Sequence, residues 1–296
     1  MDKVNRIHPS KPTVFAICTL LILAFFLPAG QISEAQQPVD NWVAQPMHVS
    51  QLADPYAFSG YTPSQIRTAY NLPASGGAGV TIAIIDAYHT PSVLNDLTVF
   101  SNQFGLPTPN VTTNFEVHRM SNNTGTDSRW GQETCLDVEW AHAIAPDAKI
   151  LLVEAESPYD DDLIDAIDWA TSQPGVVAVS MSWGAPEEAF LTTYKTHFDK
   201  PGIVFFASSG DDGAEVNWPA SSARVVAVGG TTLNLYPNDT VSSETGWNGS
   251  GGGISAYVAA PAYQTSYGLN ISKRVIPDVS YNADPTTGVQ VFYNNQ

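Results

Sequence analysis

The chain has 296 residues, of which 43% are hydrophobic and only 14% charged, a length sufficient for one globular core. Lys and Arg together number 12 against 29 Asp and Glu, a net charge of −17, and so few cations exclude a phosphate-neutralising surface and with it a nucleic-acid partner. Aromatics at 10% and the low charge density exclude intrinsic disorder, because the chain has enough apolar surface to offset the entropy of ordering.

The first segment predicts an export signal rather than part of the fold. Lys3, Arg6 and Lys11 form a basic head, Val14–Leu27 is almost entirely apolar, and Ser33-Glu34-Ala35 places small residues where a signal peptidase reads, with cleavage after Ala35. The apolar run is shorter than the roughly 20 residues that span a bilayer, so residues 1–35 predict secretion and no membrane association once they are removed. Cys18 lies in this signal, which leaves Cys135 alone, without a disulfide, and expected to be a buried small hydrophobe. Five Asn-x-Ser/Thr sites, at Asn110, Asn122, Asn238, Asn248 and Asn270, mark surface loops.

Residues 36–79 read as an N-terminal wrap containing a short helix, Pro63–Tyr70. From residue 80 to 296 a single domain is expected. Apolar runs and amphipathic segments alternate: strand Val80–Ile85, helix Ser92–Phe104, strand Phe115–Arg119, helix Gly131–Ile144, strand Lys149–Val153 and helix Asp161–Thr171. Strand Val176–Ser182, helix Pro186–Phe198, strand Ile203–Ala207 and strand Arg224–Val228 follow. This order predicts an α/β fold, a doubly wound, mainly parallel sheet with helices on both faces.

In such a sheet chemistry sits beyond the carboxyl ends of the strands. Asp86, Trp183 and the run Ser208–Gly213 fall at three of those ends. A fourth contribution is the helix carrying Glu133 and Asp137, which are four residues apart and share one face. Taken alone, such a pair is an ordinary solvated helix surface. Here the rest of the helix, with Cys135, Leu136, Val138, Trp140 and Ala141, is largely apolar, and a Gly/Ser/Asn-rich loop precedes it. His142 reads as a satisfied core or rim histidine, and Asp160-Asp161-Asp162 as charges complementing a helix dipole rather than a calcium site.

Six motifs in order carry a resemblance: Glu133-x3-Asp137-x-Glu139-Trp140-Ala-His142-Ala-x-Ala-Pro146; Ser182-Trp183-Gly184; Ser208-Ser-Gly-Asp211-Asp-Gly213 with Pro219-Ala-Ser-Ser222; Val226-Ala-Val-Gly-Gly-Thr231; Glu244-Thr-Gly-Trp247-x3-Gly251-Gly-Gly253; and Pro277-Asp278-Val-Ser-x3-Asp284-Pro285. Together they resemble the sedolisin (serine-carboxyl) peptidase family. The resemblance implies a subtilisin-like fold and an endopeptidase or tripeptidyl peptidase that acts at acid pH on peptide or protein substrates, as a secreted monomer. By position it makes Glu133 the general base, Asp137 the carboxylate that shares a proton with it, and Asp211 the acid that donates to the tetrahedral oxyanion. Asp86 and Trp183 match support for the base, and Ser182, Trp183 and Gly184 the backbone to which an extended substrate adds as a strand. A coupled carboxyl pair suits acid solution, because the two compete for protons and one member stays ionised.

The family's serine lies in a Gly-Thr-Ser motif shortly after the segment matching Pro277–Gly288, and no Gly-Thr-Ser occurs in these 296 residues. The expectation is therefore a peptidase domain truncated before its nucleophile, inactive by itself, with the calcium site of full-length relatives absent and no cofactor or metal in this chain. A missing helix would also leave apolar sheet surface bare. A non-catalytic peptide-binding protein that keeps the cleft is the alternative. The run from Val289 to Gln296 reads as a strand entering an Asn-Asn turn.

Overall fold

The computed structural model describes residues 42–47, 60–122 and 124–294, all in the unit Asn41–Gln296; the expected export signal lies outside the described residues. In chain order the elements are β1 (Gln45–Pro46), α1 (Pro63–Ala69), β2 (Thr81–Ala87), α2 (Val93–Phe104), β3 (Phe115–Arg119), α3 (Ser128–Ile144), β4 (Lys149–Ala155), α4 (Asp160–Thr171), β5 (Val176–Met181) and β6 (Trp183–Pro186). A 3-10 helix (Phe190–Thr196), β7 (Val204–Ser208), β8 (Asn217–Trp218), β9 (Val225–Leu235), β10 (Val241–Gly246), β11 (Gly253–Ala259), α5 (Ala262–Ser266), β12 (Lys273–Ile276) and β13 (Val279–Asn282) complete it, with a last 3-10 turn at Pro285–Thr287.

Eight strands form the main sheet in the order β10-β9-β7-β5-β2-β4-β3, with β13 also paired to β9. Every pairing is parallel except β10 with β9, as Val- and Ile-rich strands separated by helices require. Ala83, Ile85, Leu151, Val153, Val179, Met181, Phe205 and Ala207 pack on one face against Leu163, Ile164 and Ile167 of α4. On the other face Ile84, Phe115, Ile150 and Leu152 pack against Val93 and Leu97 of α2 and Val138 of α3. That second face is covered only over β3, β4 and β2. Farther along, Val204 and Phe206 of β7 and Val279 and Tyr281 of β13 are 46%, 37%, 51% and 56% exposed.

Local chemistry explains the boundaries. Thr62 closes a capping box with Gln65 at the start of α1. The Arg67 guanidinium donates to the last carbonyls of α3, Ala143 and Ile144, at 2.6 and 3.1 Å. The helix expected over Pro186–Phe198 is replaced by strand β6 and a 3-10 helix. Trp183–Pro186 is held extended between β1 and β8, while the Thr192 and Thr193 hydroxyls donate to the carbonyls of Ala189 and Phe190 at 2.8 and 2.7 Å and compete with α-helical bonding. The expected terminal strand is also corrected: Val289 makes a single parallel bridge to Tyr61, and residues 291–294 form no strand. There the Phe292 amide donates instead to the buried Glu139 carboxylate at 2.9 Å. The five Asn-x-Ser/Thr asparagines are exposed, as expected of loops.

Candidate active site

Helix α3 begins at Ser128, three residues earlier than expected, because the Asp127 carboxylate accepts from the amides of Arg129 and Trp130 at 2.9 and 3.1 Å. The cap fixes the rotation of the helix. Trp130, Thr134 and Val138 turn inward, and with them Glu133, 2% exposed. Asp137, one turn on, is half-buried as a residue, but its Oδ2 is sealed from solvent. Asp86, at the carboxyl end of β2, is fully buried.

These three carboxyls act on one another. Burial pushes Glu133 well above the ordinary carboxylate range, and the charges of Asp137, Asp86 and Asp211 push it further. Burial likewise raises Asp137 to about 7, against the opposing effect of the Ser182 hydroxyl, which donates to its Oδ1 at 2.6 Å. Asp86 is raised well above its usual value by burial, then by Asp137, and more weakly by Glu154, its register partner on β4. The neighbouring Thr134 hydroxyl offsets this only in part, since it is given to the Trp130 carbonyl at 2.8 Å.

Glu133 Oε2, Asp137 Oδ2 and both oxygens of Asp86 are buried without a donor among the described residues. A buried carboxylate oxygen without a donor is costly, and a proton on a neighbouring carboxyl supplies one. The cluster is therefore built to hold and share protons.

The opposite wall comes from strand ends. Trp183 is fully buried and donates its indole N–H to the Ile85 carbonyl at 2.7 Å, tying β6 to the strand that carries Asp86. Ser182 lies between β5 and β6, one residue past the strand in which it was expected. Gly184 permits a close crossing, since a Cβ there would sit 2.8 Å from the Trp218 carbonyl oxygen. Asp211, half-buried, sits in the loop after β7. Ser209 Oγ donates to the Gly251 carbonyl at 2.7 Å, the Gly251 amide to that of Gly210 at 2.6 Å, and Asn217 Nδ2 to that of Ser209 at 3.1 Å. A Cβ at Gly251 would fall 2.0 Å from the Ser209 carbonyl oxygen, so only glycine lets the two loops meet.

Glu133, Asp137, Asp86 and Ser182 thus come together in one cluster, with Asp211 near enough to raise Glu133 and Trp183 buttressing the strand end. Two neighbours escaped the sequence. Glu154 looks like an inward residue of an apolar strand, and only its register with Asp86 exposes it. Tyr281 has its phenol pushed up by enclosure and by the charges of Asp137 and Glu133, although the residue as a whole is 56% exposed. The remaining candidates are structural. His142 is buried and bonded to the Pro107 carbonyl at 2.8 Å. Cys135 is enclosed, with its thiol pushed well up by burial and by Glu139, which leaves it inert. Asp160 and Asp161 receive the Tyr194 hydroxyl at 2.9 and 2.7 Å in the first turn of α4. Among the described residues there is no group of three or more His, Cys, Asp or Glu side chains that could hold a metal ion. Nor is any helix among them long and apolar enough to cross a membrane.

Residues 121–295 match the Subtilase family (Peptidase_S8). Kumamolisin from Bacillus sp. (strain MN-32) is 31% identical over 284 residues, covering 83% of this chain and 50% of the relative. Sedolisin from Pseudomonas sp. (strain 101) is 28% identical over 280 residues, covering 80% of this chain and 46% of the relative. The chain thus spans about half the length of these two relatives. The solved Pseudomonas sedolisin, a serine-carboxyl proteinase complexed with two molecules of pseudo-iodotyrostatin, superposes with a TM-score of 0.71 at 27% identity over 81% of this chain and 75% of that one. The order of strands, the buried acids of α3 and these likenesses agree, and the chain belongs to the sedolisin branch of the subtilisin-like peptidases.

Proposed function

We propose that this chain supplies the acid residues, Glu133, Asp137 and Asp211, of an exported, acid-acting serine-carboxyl peptidase. Glu133 takes the proton of the nucleophilic serine that the family's mechanism uses, and returns it to the leaving amine. Asp137 shares a proton with Glu133, so that the pair titrates in two steps and its singly protonated form is the working one. Asp86 and Trp183 hold that pair from behind. Asp211, from the opposite loop, donates to the oxyanion of the tetrahedral intermediate and must be protonated to do so. Ser182, Trp183 and Gly184 offer backbone to an extended peptide or protein substrate.

The observation that carries this reading is the set of enclosed carboxyl oxygens on Glu133, Asp137 and Asp86 with no hydrogen-bond donor among the described residues. A peptide-binding surface has no chemical use for them, whereas a proton-sharing base does. Glu133→Gln in the full-length protein is expected to lower kcat/KM for a peptide substrate at acid pH by about 10²–10⁴, the usual cost of a lost general base, with the fold intact by circular dichroism. Undiminished cleavage by that variant overturns the assignment.

A further inference from the structure

Asp86 has a second buried acid beside it. Three parallel strands set a row of charged residues at one level: Asp86 at the end of β2 is in register with Glu154 of β4, and Glu154 with Arg119 of β3. Two residues earlier on each strand, Ile84, Leu152 and Val117 face the layer of α2 and α3, and alternation along a strand turns Asp86, Glu154 and Arg119 to that same side. Asp86 and Glu154 are both fully buried.

The two carboxyls have unlike surroundings. His89 Nδ1 donates to Glu154 Oε2 at 2.6 Å, the Thr90 amide donates to its Oε1 at 2.9 Å, and Arg119 Nε stands 4.0 Å away. That Nε is sealed from solvent without an acceptor among the described residues, so its charge acts on Glu154 unshared. Neither oxygen of Asp86 has a donor. The outer end of the row is wet: the His89 and Arg119 side chains are 26% and 33% exposed, and His89 lines a cavity of about 160 Å³ with Thr90, Ser92, Asp127 and Ser128.

Burial lifts Glu154, and the Thr90 amide, His89 and Arg119 pull it part of the way back. Burial lifts Asp86 too; Asp137 pushes it further, the Thr134 hydroxyl eases it, and Glu154 pushes it up again. The other titratable groups on α3 that feel the Asp86 charge are Glu133 and Cys135, both buried. Of two neighbouring acids, the one beside cations ionises first and the other holds its proton.

We propose that Glu154 is a further positioning residue for the reaction: anchored by His89 and Arg119, it places a charge beside Asp86 that keeps on Asp86 a proton for the Glu133–Asp137 pair to draw on. The assignment rests on reading the site as a peptidase. Glu154 acts through Asp86 alone. Without its charge, Asp86 gives up its proton at lower pH, and the proton-sharing unit fails earlier as pH rises.

Two variants separate charge from shape. Glu154→Gln keeps the length of the side chain and loses the charge, whereas Glu154→Asp keeps the charge and loses a methylene. In a carboxyl-carbon NMR titration of the native protein, Glu154 is expected to lose its proton at lower pH than Asp86. In Glu154→Gln, Asp86 is expected to titrate about 0.5 pH unit lower or more, and the neutral-side limb of kcat/KM against pH, measured on a peptide substrate with full-length protein, to move the same way. Glu154→Asp is expected to leave that limb near its native place. Asp86 losing its proton before Glu154, an unmoved limb in Glu154→Gln, or an equal shift in Glu154→Asp each overturn the proposal. If Glu154→Gln fails to fold, the native titration decides alone. Unsubstituted full-length protein that cleaves no peptide counts against the peptidase reading instead, and the titrations then decide whether Glu154 holds the proton on Asp86.

Discussion

Asp137 and Asp278 are acids whose environments push in opposite directions. Asp137, raised to about 7 from 3.8, keeps its proton in the folded state where the unfolded chain has lost it. Folding is then favoured below the lower value, and the contribution disappears as pH rises through 4 towards 7. The urea midpoint is accordingly expected to fall over that interval in the native protein and to fall less in Asp137→Asn; equal slopes contradict the assignment. Burial alone would raise Asp278, but the Arg274 guanidinium, the Ala227 amide and the Tyr263 hydroxyl hold it below its ordinary value. Arg274 is fully buried and grips Asp278 through both terminal nitrogens, at 2.7 and 2.5 Å. Arg274→Met leaves that carboxylate enclosed and unpaired and is expected to cost about 3–5 kcal/mol, measured by urea unfolding at neutral pH.

At the scale of elements the central claim depends on α3 presenting its acids at a fixed rotation. Asp127→Ala removes the cap and is expected to cost about 1 kcal/mol in equilibrium unfolding, with Arg129 and Trp130 left without their acceptor. The helices and parallel strands around the site were legible because each carries a clean period: Val80–Ile85 and Lys149–Val153 are continuous apolar runs, and α2 and α4 are amphipathic. Glu133, Asp137 and Asp211 were legible only as a motif, since spacing alone describes a solvated helix face equally well. β10, β11 and β13 escaped because their residues are exposed or carry Gly and Ser, as in Val241–Gly246, where all six residues face solvent. Pro186–Phe198 misled because its apolar spacing is helical while its threonines bond back to the chain and its first residue, Pro186, is paired with Asn217 of β8. The pairing of β1 with β6 is a contact between residues more than a hundred positions apart, which no local pattern encodes.

The whole molecule is a sheet with one face half covered. Helices α2 and α3 shield β2, β3 and β4, but Val204, Phe206, Val279 and Tyr281 stand open on the same face. A contiguous apolar patch of this kind binds hydrophobic dyes and promotes association. Residues 42–296 are expected to enhance the fluorescence of such a dye in the folded state. Val204→Lys with Phe206→Glu should abolish most of that signal and raise solubility without lowering the urea midpoint; an unchanged signal means that the patch is covered in solution. The net charge of −17 opposes association at neutral pH and shrinks as the acids protonate, so aggregation should grow as pH approaches the sequence isoelectric point near 4.4.

The central claim is that the buried acids of α3 and β2 form one proton-sharing unit. Its most direct test is a carboxyl-carbon NMR titration of Asp137 and Asp86 in the folded protein, alongside Asp137→Asn. Asp137 is expected to titrate near 7 in the native protein, and Asp86, which the Asp137 charge pushes up beyond the effect of burial, to titrate lower in Asp137→Asn than in the native protein. Titration of Asp137 near the ordinary 3.8, or an Asp86 unmoved by the substitution, would contradict the account.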